Sequence, residues 1–93
     1  MANLVYMSML QAEDEDVAQT ALELMRTIVK NGVGYQILGV AALLLTLLDR
    51  YGLNCVDVLG IADCIVFSKG NNNMTQSFKD IQLLMKTKME IIT

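Results

Sequence analysis

Two aspartates in an apolar segment, Asp57 and Asp63, are the first residues of this 93-residue chain to consider for catalysis. A carboxylate pair can share general acid and base roles when both groups point at one reacting atom. On a helix, a separation of six residues means a rotation of about 240° and an axial distance of roughly 9 Å. The two side chains would therefore diverge. Asp57 is better explained as an acid in the first turn of a helix, whereas Asp63 would need a cationic partner if it were buried.

The two cysteines, Cys55 and Cys64, are the other reactive side chains, and the sequence contains no histidine. On one helix they would lie about 13.5 Å apart along the axis, beyond the roughly 7 Å limit for a disulfide. Without histidine, two thiols cannot complete a structural zinc site, and neither a Cys–His nor a Ser–His catalytic pair can form. We therefore expect buried free thiols in a reducing cytoplasm, and a chain that is not an enzyme and holds no metal or cofactor.

The segment SKGNNN is the clearest loop signal, because glycine and asparagine tolerate left-handed backbone conformations. It precedes a predicted helix, whose free N-terminal amide groups and dipole attract anions. A nucleotide or another small anion is therefore one candidate ligand. The residues that would contact it are Lys69, Gly70, Asn71, Asn72 and Asn73. The alternative is an ordinary turn and helix cap, in which Asn73 forms a capping pair with Gln76.

An apolar segment at residues 33–48 is the element around which the remaining chain must fold, since no charge lies between Lys30 and Asp49. A helix that is apolar on all sides must be buried on all sides, by protein or by lipid. The sequence predicts a central helix, in which Gly39 would let another backbone approach closely. So short a chain has little with which to cover it, so a second copy or a partner protein is expected. The predicted interface residues are Ile37, Leu38, Val40, Leu44, Leu45 and Leu48.

A membrane-spanning role for this segment is an alternative. Its apolar part has 16 residues, whereas a spanning helix needs about 20. The next apolar stretch, residues 58–67, is shorter and contains Asp63. The N-terminal sequence MANLVYMSML also lacks the basic region and cleavage site of a signal peptide. These lengths favour a soluble cytoplasmic protein over a membrane-inserted helical hairpin.

The composition favours self-association. Hydrophobic residues make up 54% of the chain, and soluble monomers normally expose only limited apolar patches. The formal net charge of −3 provides no basic surface for nucleic acid. Acids dominate residues 1–30 and lysines dominate the C-terminal tail. The first and last helices are therefore expected either to lie together, within or between subunits, or to present two solvated faces.

Hydrophobic spacing predicts an all-α domain, a small bundle of four helices at residues 13–31, 34–51, 54–68 and 73–91. The acidic sequence EDED suits the start of the first helix, and Asn31-Gly32 suits a left-handed end. Gly52 is predicted to end the second helix. Residues 3–11 fit either a strand or an added helical turn, because neither face is clearly polar. Residues 65–66 fit either the end of the third helix or a short strand.

Residues 47–61 resemble a helix-turn-helix motif. One helix ends at Gly52, Leu53 follows, and Asn54 is placed to cap the next helix. Val58 and Ile61 would then pack inward. A DNA-recognition helix presents basic or amide side chains to bases and phosphates, whereas this helix carries two aspartates and no basic residue. The resemblance therefore implies a helical hairpin, with DNA binding as the lesser alternative.

The features above predict a small regulatory or inhibitory protein that acts by binding another protein. The small, acidic, proline-free chain also suits an accessory protein of a phage or mobile element. Two alternatives stay open: an oligomer that binds a nucleotide or anion at the Lys69 to Asn73 turn, and a membrane-inserted hairpin.

Overall fold

The computed structural model describes residues 2–67 and 73–88, and these residues form five α-helices and no strand. The helices are α1 (Ala2–Gln11), α2 (Asp14–Ile28), α3 (Val33–Tyr51), α4 (Cys55–Val66) and α5 (Gln76–Lys88). The predicted all-α class is confirmed. The predicted count of four helices is wrong, because residues 3–11, which fitted strand or helix equally well, lie in a separate first helix.

The start of α2 agrees with the sequence pattern, since three acids occupy its first turn near the positive end of the helix dipole. Its end does not. Neither Asn31 nor Gly32 adopts a left-handed conformation, and Gly32 has φ −63° and ψ 156° as the residue that precedes α3. Gln36 supports this extended connection, because its side-chain Nε2 donates to the Asn31 carbonyl oxygen at 2.6 Å. The chain therefore passes from α2 to α3 without a left-handed residue.

The end of α3 is the turn that the sequence predicts best. Gly52 has φ 65° and ψ 37°, a left-handed conformation that glycine adopts without strain. Its N–H donates to the Asp49 carbonyl oxygen at 3.3 Å, and the Leu53 N–H donates to the Leu48 carbonyl oxygen at 2.9 Å. These two bonds define a Schellman motif. The predicted end of this helix at Gly52 is confirmed.

Asn54 caps α4 as predicted. Its side-chain Oδ1 accepts hydrogen bonds from the N–H groups of Val56 at 2.8 Å and Asp57 at 3.3 Å. Asp57 lies in the first turn of α4, as its proposed dipole role requires. The Asn54 N–H also donates to the Tyr6 hydroxyl at 2.8 Å. Tyr6 therefore holds α1 against the turn between α3 and α4.

Asn54→Ala is expected to lower the free energy of unfolding by about 1 kcal/mol, because two amide groups at the start of α4 lose their acceptor. Urea denaturation followed by circular dichroism measures the change. Asn31→Ala is the matched control, since the bond from Gln36 uses the main-chain carbonyl of Asn31 and not its side chain. The control should change the free energy by less than about 0.5 kcal/mol. Equal losses in both variants would contradict the capping role.

The connection from α4 to α5 is held by hydrogen bonds of Thr75. Its N–H donates to the Val66 carbonyl oxygen at 2.8 Å, and its hydroxyl donates to the Ile65 carbonyl oxygen at 3.2 Å. Phe67 and Met74 form one isolated antiparallel bridge. Residues 65–66 thus belong to the last turn of α4, and extended pairing begins only after it.

The start of α5 differs from the prediction. The helix begins at Gln76, three residues after the predicted cap Asn73, so Gln76 does not stand in the third helical position that a capping pair needs. Its side-chain Nε2 instead donates to Asp80 Oδ1 at 2.7 Å, one turn ahead. The predicted position of the cap is therefore wrong. The final predicted residues of this helix, 89–91, lie outside the described part of the chain.

The best-buried contact joins α2 to α5. Ala18, Met25 and Ile81 are buried there. Half-buried side chains pack around them: Ala21, Leu22, Phe78 and Leu84. The acidic and the lysine-containing helices thus do lie together, and the contact between them is apolar.

Within the single chain α3 is largely uncovered, which agrees with the expectation that so short a chain has little with which to enclose it. Of its side chains, only Gln36 and Leu48 are buried within the chain. The physical reason is the one that the sequence suggested, since the other helices offer too little surface to enclose a helix that is apolar on all sides.

The chain exposes more surface than a compact monomer of its mass. Its accessible area is 7202 Å², whereas a folded monomer of 10.3 kDa exposes about 5,400 Å². Its radius of gyration is 14.1 Å, against about 12 Å for a compact domain of this length. By both measures the chain is less compact than a typical domain of its size.

Candidate interaction surface

The exposed surface of α3 is the main candidate functional site. Apolar side chains along this helix are exposed to solvent. They are Tyr35, Ile37, Leu38, Val40, Leu43, Leu45, Leu47 and Tyr51. So many exposed apolar side chains on one helix are unusual on a soluble monomer, where large exposed apolar patches mark contacts with protein or membrane.

The buried and half-buried side chains of α3 lie on one side of the helix, and the opposite side is called the outer face below. At about 100° per residue, its members all lie within roughly 60° of the direction of Ala42. They are Tyr35, Leu38, Gly39, Ala42, Leu45, Thr46 and Asp49, and every one is exposed. From first to last they span about 21 Å along the helix axis. The outer face is therefore a continuous strip that is uncharged except at Asp49.

Gly39 is an unusual residue for the middle of a helix. A glycine inside a helix lowers its stability by up to about 1 kcal/mol relative to alanine. A Cβ atom built at Gly39 would meet nothing within 4 Å. Packing within the chain therefore gives no reason for a glycine at this position.

Thr46 is the polar residue in the middle of the strip, and its hydroxyl is already satisfied. It donates to the carbonyl oxygen of Ala42, in its own helix, at 2.8 Å. Covering Thr46 with apolar surface would not leave an unpaired donor, which is the usual penalty for burying a hydroxyl. Burying the part of the outer face around Thr46 would thus leave no unpaired hydroxyl donor.

The six predicted interface residues divide into two groups. Ile37, Leu38, Val40 and Leu45 are exposed. Leu44 is half-buried and Leu48 is buried. Leu48 therefore belongs to packing within the chain, whereas Leu38 and Leu45 lie on the outer face.

A groove between α1 and α4 is a second apolar surface, with a volume of about 590 Å³. Met9 and Leu10 from α1 and Val56 and Ile61 from α4 supply apolar walls. Sequence patterns missed this groove because residues 3–11 showed no clear polar face, and because its two walls lie far apart in the sequence. The sequence did not show that Tyr6 contacts the start of α4, and this contact is what brings the two walls together.

Acidic and sulfur-containing side chains also reach this groove. Asp14 and Asp57, each near the start of a helix, lie in its lining together with Cys64. Both cysteines are free, but Cys64 is exposed and Cys55 is only half-buried. The prediction of buried thiols is therefore wrong. Asp63 is exposed as well, so it needs no ion-pair partner, and it shares α4 with Asp57 without forming a carboxylate pair.

No protein-family model matches the chain, and comparisons with curated proteins and with solved structures also find no match. Within residues 2–67 and 73–88, no group of three metal-ligating side chains occurs. The exposed apolar surfaces are therefore the features from which a function can be argued.

The predicted anion site lies almost wholly outside the described residues. Lys69, Gly70, Asn71 and Asn72 are not described, and Asn73 is exposed just before Met74. The prediction of a nucleotide or anion at this turn thus stands on the sequence alone.

A nucleotide bound at this turn should raise the melting temperature of the protein. At 100 times the dissociation constant, a ligand specific for the folded state adds about 2.7 kcal/mol of stability. A thermal-shift assay against a panel of nucleotides measures this effect, and Lys69→Ala should reduce it. Lys79→Ala is the control, since Lys79 is an exposed lysine on α5. A shift that survives Lys69→Ala, or no shift with any nucleotide, would contradict the anion site.

Proposed function

We propose that this protein is a small, non-catalytic regulator or inhibitor that self-associates and acts by binding another protein. The observation that supports the proposal is the exposure of α3. A helix of 19 residues that could be the centre of a core instead presents most of its apolar side chains to solvent. Such a surface is unfavourable in water unless another molecule covers it.

The area of uncovered surface fits this proposal. The chain exposes about 1,800 Å² more than a compact monomer of the same mass. A standard stable interface buries about 800 Å² on each partner. The excess is therefore larger than the area that one partner contributes to a standard interface.

The two surfaces differ in chemistry, which favours two kinds of contact. The outer face of α3 is nearly uncharged, as the centre of a permanent interface between subunits usually is. The groove between α1 and α4 is apolar with Asp14 and Asp57 in its lining, so it favours an apolar side chain followed by a basic residue from a partner. The regulator would thus be an oligomer in which the α1–α4 groove of each copy binds the target protein.

A cytoplasmic location and a role as an accessory protein of a phage or mobile element belong to the same proposal. Two free thiols, one of them exposed, favour a reducing compartment, where such thiols persist. The mild net charge of −3 favours a protein partner over nucleic acid.

Sedimentation velocity over a wide range of protein concentration tests the proposal. A regulator that self-associates should sediment as a dimer or larger assembly and dissociate only on dilution. A monomer at every concentration would contradict the self-association. Binding of the target would then be tested with Asp14→Lys and Asp57→Lys variants, which should lose a partner that the intact protein retains.

Insertion of α3 into a membrane is a second candidate function, because one observation favours it. The length and composition of α3 would let it cross a membrane, and only 11% of its most apolar window is buried within the chain. A helix of 19 residues spans about 28 Å, close to the roughly 30 Å of a bilayer core. Flotation with phosphatidylcholine vesicles separates the two candidates. The interaction module should stay in the aqueous fraction, and the inserted hairpin should float with the vesicles.

A further inference from the structure

The positions three, four and seven residues on either side of Ala42 all lie on the outer face, as they do around any residue of a helix. The members of this face lie at equal distances on either side of Ala42, so that Tyr35 corresponds to Asp49, Leu38 to Thr46 and Gly39 to Leu45. A two-fold axis through Ala42 and perpendicular to the helix would superimpose each member of a pair on the other. In an isologous interface the same patch of both copies is in contact, with the residues paired in this way.

We infer that the outer face binds a second copy of the chain, with the two α3 helices antiparallel and crossing at Ala42. This inference rests on the proposed self-association and specifies its geometry. The molecule that covers the outer face is then a second copy of the chain, through its own outer face.

The size of the side chains supports the antiparallel arrangement. Leu45 of each copy would face Gly39 of the other, where the absence of a Cβ leaves room for it. Leu38 would face the smaller Thr46, and the two Ala42 residues would meet at the axis. A large side chain thus lies opposite a small one at each position, which is how packed helices interdigitate.

The polar ends of the strip support the same arrangement. Antiparallel packing brings the phenol group of Tyr35 to the carboxylate of Asp49 at each end, and a hydroxyl donating to a carboxylate is a strong hydrogen bond. Parallel packing would instead place the two Asp49 carboxylates together at one end. Like charges that face each other across an interface disfavour that arrangement.

Gly39 has a size that suits this contact. It is exposed, it lies in the middle of a helix, and a side chain there would meet nothing within its own chain. A glycine opposite a leucine lets the two helix axes approach toward the lower end of the usual 8–10 Å range. The same open space surrounds the helical glycines Gly34 and Gly60, so the contact between copies accounts for Gly39 through its position opposite Leu45 and not through its exposure.

A pair of glycine substitutions tests the interface. Gly39→Leu should raise the dissociation constant of the dimer at least about tenfold, because two leucines would then compete for one space. Gly60→Leu is the matched control, since Gly60 is exposed on α4 and a Cβ there also meets nothing within 4 Å. The control should change the constant by less than about threefold. Circular dichroism should show full helix content in both variants, because leucine favours helix more than glycine does.

A nitroxide label at Gly34→Cys, in a Cys55→Ser and Cys64→Ser background, measures the orientation by dipolar electron paramagnetic resonance. Gly34 is exposed beside the outer face and has open space around it. The antiparallel pair places the two labelled positions about 24 Å apart along the axis. The parallel pair would place them about 10 Å apart.

The outcomes distinguish this inference from the proposal beneath it. A dimer that Gly39→Leu weakens, with the long label distance, supports the antiparallel pair. A dimer that Gly39→Leu leaves unchanged, or one with the short distance, overturns the inference and leaves self-association standing. A monomer at every concentration overturns both.

Discussion

Met25→Ala is expected to lower the free energy of unfolding by about 2–5 kcal/mol, the range for removing a long apolar side chain from a packed site. Met25 is the best-buried side chain in the described residues, with only 3% of its surface exposed. A typical domain has a total stability of about 5–15 kcal/mol. The substitution therefore removes a large fraction of what holds α2 to α5.

The loss of stability should be large because few buried residues form the contact between α2 and α5. The buried cluster between α2 and α5 consists of Ala18, Met25 and Ile81. Alanine at residue 25 would leave a cavity that Ile81 and Leu84 cannot close without moving α5. A larger core would spread that strain over more neighbours.

Met7→Ala is the matched control, since Met7 is also a helical methionine but has 54% of its surface exposed. It should change the free energy of unfolding by less than about 0.5 kcal/mol. Urea denaturation of both variants at one protein concentration measures the difference. Equal effects would show that the contact between α2 and α5 does not dominate the stability.

Leu45→Glu is expected to raise the dissociation constant of the assembly by about 100-fold or more. Leu45 has 61% of its surface exposed on the outer face of α3. Burying an unpaired carboxylate at an interface costs roughly 3–5 kcal/mol, and each 1.4 kcal/mol is about a tenfold change in affinity. The isolated chain should tolerate the substitution, because the new charge would face water.

Leu83→Glu is the matched control, since Leu83 lies on α5 with 62% of its surface exposed. The two variants have the same composition and net charge, so any difference in sedimentation reports position alone. Leu83→Glu should leave the assembly intact. If both variants dissociate to the same extent, general repulsion between chains explains the result, and the specific role of α3 is contradicted.

Local structure was predictable from the sequence wherever neighbouring residues decide it. Gly52 ends α3 and Asn54 caps α4 as expected, because both motifs depend on a few adjacent backbone groups. The acidic start of α2 follows from the helix dipole in the same way. The predicted left-handed end at Asn31-Gly32 was wrong, because a side chain further along, that of Gln36, donates a hydrogen bond to the Asn31 carbonyl oxygen and supports an extended connection instead.

Long-range structure was less predictable, because spacing along a helix shows which face is apolar but not what covers it. The sequence identified α3 as a helix in need of cover, and the structure leaves it exposed. It did not identify the contact between α2 and α5 as the main core. The groove of α1 and α4 was missed for the same reason, since its walls meet only in the folded chain. Of the candidate site, the leucines of α3 were therefore predictable, and the second surface was not.

The hydrogen bond from the Asn54 N–H to the Tyr6 hydroxyl has a kinetic consequence. The turn from α3 to α4 is made of contacts between neighbours, and such local structure forms within microseconds. Tyr6 reaches that turn across 48 residues, so a long loop must close before the bond can form. We expect the α3–α4 turn to appear early in refolding and α1 to dock late. The acidic groove would then be the last part of the molecule to assemble, and the first to open when the chain unfolds.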